Sequence, residues 1–181
     1  MRYFFRRRVP KLERVLLIES GSRHILEAFL RRFPANHPEA GGFDLVTCFD
    51  GVPSPLTSGS ARVWRVSDYG GASARRRLLR ELREAGHPAA AMLCSGEPIM
   101  TRWKWALAVL LPVKVLVVNE NADYFWLDRS NWKVIRHFVL FRAGLTGAGA
   151  VRTAAGIMAF PFIVGYLLAY TGWAHLKRAL R

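Results

Sequence analysis

Short apolar runs alternate with longer amphipathic stretches over the first two thirds of the chain, and glycine, proline or serine marks most of the joints. Residues 15–19 (VLLIE), 43–49 (FDLVTCF), 62–67 (RVWRVS), 89–94 (AAAMLC) and 113–118 (VKVLVV) are brief, apolar and partly β-branched. That is the pattern of strands, and the near-continuous hydrophobicity of several points to burial on both faces. Between them the apolar period lengthens to that of a helix. Ile25, Leu26, Phe29 and Leu30 share one face of a helix over 23–33, with Ser22 as its N-cap and Pro34 and Pro38 beyond it. Leu78, Leu79 and Leu82 face inward from a helix over 73–85, which Gly86 closes. A third helix, over 99–111, carries Leu, Ala, Val and two Trp, with only Arg102 and Lys104 for charge. Most of its circumference is therefore expected to be covered. Pro112 stops it, because proline cannot continue the hydrogen-bond ladder.

This succession predicts an α/β fold: a Rossmann-like, three-layer parallel sheet of about five strands, ordered 3-2-1-4-5 and linked by right-handed crossovers. The pattern then changes. Residues 130–142 (SNWKVIRHFVLFR) read as a basic amphipathic helix, and 144–149 as a small-residue hinge. Residues 153–173 carry no charge at all, enough to cross the hydrocarbon core as a transmembrane helix. Tyr166, Tyr170 and Trp173 gather near its end, as in an interfacial belt. Pro161 near its middle leaves a kinked, re-entrant hairpin as the alternative. Four parts result: a basic aromatic segment 1–11, the α/β domain 12–128, an amphipathic helix and hinge 129–150, and a membrane anchor with basic tail 151–181.

Charge sharpens this picture. Lys and Arg number 27 against 13 Asp and Glu, a net charge of +14. Such a chain attracts anions, and because basic residues flank the apolar segment, anionic lipid headgroups are the expected partner rather than nucleic acid. More of the positive charge precedes the segment than follows it. The positive-inside rule then makes this a single-pass membrane protein with its α/β domain in the cytoplasm. Cys48 and Cys94 sit in apolar strand contexts and are expected to be buried thiols, not a disulfide.

In open parallel sheets, ligands sit outside the carboxyl ends of the strands. Here acidic and amide groups concentrate at those ends, although the chain as a whole is basic. The expected ligand-binding residues are Ser20, Gly21, Ser22 and Arg23 after the first strand, Asp68 after the third, Ser95 and Gly96 after the fourth, and Asn119, Asn121 and Asp123 after the fifth. Carboxylates and amides suit a hydroxyl-rich ligand. Glu97 and Glu120 are the candidates for a catalytic general base. The plainer role for Glu97 is a favourable negative charge in the first turn of the helix that follows it. One glycine at the first turn, rather than three, is a weak phosphate-loop signal. His24, His37, His87, His137 and His175 show no metal-ligand spacing, and no Walker loop or nucleophile elbow occurs. Neither a metal nor a cofactor is expected.

Taken in order, VLLIESGSRHILEAFLRRF, FDLVTC, RVWRVSDY and LLRELREAGHPAAAMLCSGEPIMTRWKWALAVLLPVKVLVVNEN resemble in layout the N-terminal half of a GT-B glycosyltransferase of the heptosyltransferase type, over residues 12–128. The turn Ser20-Gly21-Ser22-Arg23 lacks the acidic residue that such enzymes ordinarily carry there. Residues 129–181 are too short and apolar to stand for the family's second Rossmann domain, which holds most of the sugar nucleotide. The resemblance therefore implies a membrane-anchored, acceptor-side half-domain in glycan or lipid-linked sugar synthesis. Its substrate would be lipid-linked or a nucleotide sugar, and its partner a second Rossmann-domain subunit. The alternative is a non-catalytic membrane scaffold or adaptor.

Overall fold

A computed structural model describes residues 9–56, 61–146 and 149–179. Most of the basic aromatic segment 1–11 lies outside the described residues. The chain forms two compact units, 1–132 and 133–181.

In the first unit the strands are β1 (Val15–Ile18), β2 (Phe43–Thr47), β3 (Val63–Arg65), β4 (Ala89–Leu93), β5 (Lys114–Val118) and β6 (Tyr124–Trp126). They form one sheet in the order β3-β2-β1-β4-β5-β6. The five expected strands are parallel and in the expected order. Val15 of β1 stands opposite Phe43 on one side and Ala89 on the other. β6 is an addition: it pairs antiparallel with β5, Val117 opposite Phe125. Its three residues follow a polar run that hid it from the sequence pattern. β1, β4 and β5 are buried along their whole length, as both-face coverage requires.

The crossover helices are α1 (Arg23–Asn36), α2 (Gly71–Glu84) and α3 (Thr101–Leu110). α1 continues past Pro34 and closes where the His37 N–H donates to the Phe33 carbonyl at 2.9 Å. Its buried stripe is Ile25, Leu26, Phe29, Leu30 and Phe33. The Phe29 and Phe33 rings lie 5.8 and 5.3 Å from Tyr124 of β6, so α1 reaches across to the added strand. Burying each Phe contributes about 2–3 kcal/mol. With α1 pack Val15, Leu17, Leu45, Ala91, Leu93, Leu116 and Val118. The alternate strand residues, among them Leu16, Ile18, Val46 and Met92, are buried on the opposite face, as are Leu78 and Leu82 of α2 and Leu107 and Ala108 of α3.

Two expectations fail. α3 is not covered on most sides: only Lys104, Leu107 and Ala108 are buried, whereas Trp105, Val109 and Leu110 are 46, 54 and 44% exposed. A helix on the outer layer of a sheet contacts it along one stripe, whatever its composition. Cys48 is exposed, because it lies one residue past the end of β2; Cys94 is buried, and neither is in a disulfide.

In the second unit, α4 (Trp132–Arg142, its first residue closing the first unit) ends at Gly144, which takes φ 65° while the Leu145 N–H reaches back to Leu140 O at 2.9 Å. That is the left-handed closure glycine favours. Ile135 is buried, but Trp132, Val139 and Phe141 are exposed, so the expected single apolar face of α4 is not covered. α5 (Gly149–Ala179) runs as one continuous helix through Pro161, without the hairpin. Residues 155–173 of it are long and apolar enough to cross a membrane, and none of that window is buried.

Candidate functional site

The sheet order reverses between β1 and β4, and there the chain draws two turns together. Gly21, in the β1–α1 turn, is buried against the β4–α3 turn. A Cβ at Gly21 would stand 2.6 Å from Ser95 Oγ, 3.1 Å from Leu93 Cβ and 3.2 Å from Glu97 Oε2. Only glycine allows that approach. The β4–α3 turn bends through Gly96 at φ 85° and Met100 at φ 49°, both left-handed. Gly21→Ala is expected to separate the turns and lower unfolding free energy by about 1–3 kcal/mol, the usual cost of forced overpacking. Denaturant unfolding of the detergent-solubilised chain measures it; an unchanged midpoint would mean that the turns part freely.

Glu97 is the centre of this junction, at the carboxyl edge where open parallel sheets have their ligand crevice. Its carboxylate accepts the Ser22 backbone N–H at 2.6 Å, the Ser22 hydroxyl, and the Ser95 hydroxyl at 2.7 Å. The bonds from Ser22, then that from Ser95, hold its carboxyl below the usual glutamate value. α3 begins only at Thr101, so Glu97 does not sit in the first turn of its own helix. It caps α1 instead, across the sheet. Ser22 is the residue at the start of α1, but its side chain makes no cap bond there; its hydroxyl is turned to Glu97. The helix N-terminus where nucleotide-binding folds hold phosphate is thus already met by a carboxylate.

Towards β2 lies a second anchored group. Glu19 is fully buried, pairs with Arg23 Nε at 2.8 Å and accepts the Thr47 hydroxyl. Arg23 also donates to the Asp50 carbonyl at 2.9 Å and stacks on Phe49. Its bond to Glu19 raises the guanidinium pKa further. Arg23 is thus held in place by bonds to Glu19 and to the Asp50 carbonyl.

The remaining expected site residues divide. Ser20, Gly21, Ser22, Ser95, Gly96 and Glu97 come together. Asn119, Asn121 and Asp123 build the β5–β6 turn: Asn119 Oδ1 accepts from the N–H groups of Asn121 at 3.0 Å and Asp123 at 2.9 Å. Arg32 of α1 holds that turn through the Asn121 carbonyl at 3.1 Å. Glu120 is exposed on it. Asp68 is exposed in a short turn beyond the edge strand β3, bonded to the Ser67 hydroxyl, and is not part of the crevice.

One residue at the crevice escaped the sequence reading. Lys104 is only 6% exposed, and its ammonium lies 3.4 Å from the Leu93 carbonyl, which also accepts the Ser20 hydroxyl at 2.8 Å. The signal was its spacing: 104, 107, 108 and 111 form one inner stripe, and a lysine on it has to be accommodated inside.

No family model, curated protein or solved structure matches this chain.

Proposed function

We propose that the chain is a membrane-anchored, glycosyltransferase-like α/β domain that binds the hydroxyl-rich acceptor of a sugar transfer in the crevice between β1 and β4. The observation that carries this reading is the Glu97 carboxylate, ionised and fixed at the switch point of a Rossmann-like sheet. An ionised carboxylate there accepts hydrogen bonds from hydroxyls and disfavours a diphosphate at the α1 N-terminus. The layout resemblance to GT-B half-domains points the same way. In this reading α5 spans the bilayer, the sheet faces the cytoplasm, basic residues meet anionic lipid, and a separate Rossmann-domain subunit brings the nucleotide sugar. Glu97 orients and deprotonates the attacking hydroxyl, and Glu120 on the neighbouring turn assists.

The test is incorporation of labelled sugar from UDP-, GDP-, ADP- and CMP-sugars into the lipid fraction of membranes overproducing the full chain. Glu97→Gln with Glu120→Gln is expected to cut the chain-dependent incorporation at least about 100-fold, the usual weight of a general base. Unchanged incorporation with an unchanged melting midpoint removes both as catalytic groups. One observation favours the scaffold reading: the exposed Trp105, Val109 and Leu110 on α3, apolar surface of the kind partners cover. Chain-dependent transfer that ignores both substitutions would decide for it.

A further inference from the structure

The Lys104 ammonium has three donors, yet among the described residues its one hydrogen bond is the long contact of 3.4 Å to Leu93 O. The site is nearly sealed from water, where an under-bonded charge is costly unless an acceptor replaces the lost hydration. Nothing in the fold of α3 requires lysine here; Leu or Met on the inner stripe would bury apolar surface instead. The ammonium and the Ser20 hydroxyl converge on the last carbonyl of β4, beside the turn that holds Glu97. The two charges approach the crevice from opposite layers. Glu97 caps α1, which packs on one face of the sheet, and Lys104 belongs to α3, which packs on the other.

We propose that Lys104 is the anion-binding group of the β1–β4 crevice and takes the phosphate of a phosphorylated sugar whose hydroxyls face Glu97. This rests on the acceptor reading of the same site and names its substrate class. A compact ammonium is a natural point-charge partner for phosphate. The paired charges select a ligand that is anionic at one end and a hydrogen-bond donor at the other. The neutral sugar lacks the anionic end, and inorganic phosphate lacks the sugar hydroxyls that would reach Glu97.

Thermal melting of the full chain in detergent tests this with four probes: a hexose 1-phosphate, the free hexose, inorganic phosphate, and a polyprenyl-phosphate-linked hexose. Either phosphorylated sugar is expected to raise the midpoint, more than hexose or inorganic phosphate does; which one acts tells a soluble from a lipid-linked source. Lys104→Met is expected to weaken that binding roughly tenfold or more, as loss of a charged hydrogen bond does, while raising the unliganded midpoint because an under-bonded charge is gone. If Lys104 merely tied α3 to β4, the unliganded midpoint would fall and the ligand response would persist, overturning the proposal. No response to either phosphorylated sugar overturns it too. Should Lys104→Met melt without cooperativity, Lys104→Arg is expected to keep the response and Lys104→Gln to lose it; equal responses overturn it. Transfer that ignores Glu97 while phosphate binding still depends on Lys104 would fault the acceptor reading alone.

Discussion

Asp128→Ala is expected to lower the unfolding free energy by about 3–5 kcal/mol, the scale found when one partner of a buried ion pair is removed. Lys114 and Asp128 are 1 and 2% exposed, and their charged atoms lie 2.8 Å apart. The Lys114 ammonium also lies over the Trp126 ring, 5.7 Å from its centroid. The pair joins β5 to the segment just after β6, at the end of the sheet opposite the crevice. Asp128 does a second job there, accepting the backbone N–H groups of Ser130 at 3.0 Å and Asn131 at 3.2 Å. Alanine removes the carboxylate 2.8 Å from a buried ammonium and the side-chain acceptor of the following turn. Asp128→Asn keeps the cap and loses the charge, so it is expected to fall between. Lys114→Met with Asp128→Leu is expected to restore most of the loss, since packed apolar groups often replace a buried pair at little cost. Chemical denaturation in mild detergent, followed by tryptophan emission, measures all three. A loss below about 1 kcal/mol for Asp128→Ala would show that water reaches the pair.

Asp44→Ala is the second large effect, also about 3–5 kcal/mol. Asp44 is fully buried at the start of β2, where four chain entries to the sheet meet. Arg14 Nε lies 3.0 Å from Oδ1, Arg62 Nη2 3.2 Å from Oδ2, and His87 Nε2 2.8 Å from Oδ2. The Arg62 backbone N–H adds a bond at 2.8 Å. Among the described residues His87 Nδ1 is buried with no hydrogen-bond partner, so there the ring's one hydrogen bond is to Asp44. Burial alone would push the Asp44 carboxyl up. The bonds from Arg62 and His87 and the charges of Arg14 and Arg62 outweigh it and hold the group below the ordinary aspartate value. Asp128 is likewise held down against burial, by Lys114 and Ser130. For a carboxyl depressed in the folded state, the stabilisation is complete above the unfolded value near about 3.9 and is lost as pH falls through the folded one. The native chain is therefore expected to keep its stability from pH 7 to about 4 and to lose it steeply below. Asp44→Ala should lower the plateau and flatten that acid limb. Denaturant midpoints taken across this range test it, and an acid limb of the same slope in the variant would assign the transition to other carboxyls.

These two clusters explain much of what the chain's pattern concealed. Asp44, Lys114 and Asp128 stand inside or beside apolar runs, where sequence reading treats them as interruptions. Each is tolerated because residues elsewhere in the sequence supply the opposite charge: Arg14 and Arg62 for Asp44, and Asp128 for Lys114. β6 was hidden for a related reason. Tyr124, Phe125 and Trp126 form a run too short to show a period, and what makes it a strand is the edge of β5 beside it and the Phe29 and Phe33 rings of α1 beneath.

What the sequence determined by itself was the architecture. The apolar period, two for strands and near 3.6 for helices, together with glycine and proline at the joints, specified five parallel strands, their order and the three crossover helices. An uninterrupted apolar stretch likewise specified a helix long enough to cross a membrane. These features depend on local chemistry and on the handedness common to all such crossovers. The tertiary structure decided which polar groups of the rim act together. Ser22 and Glu97 are 75 residues apart, yet share two hydrogen bonds. Asn119 and Asp68, equally polar and equally placed after strands, serve their own turns. Hydrogen bonds reach only about 3 Å, so which groups meet depends on where the sheet reverses and how closely Gly21 lets two turns approach. Lys104 follows the same rule: its type was plain in the sequence, but its place beneath the crevice came from the one stripe by which α3 rests on the sheet.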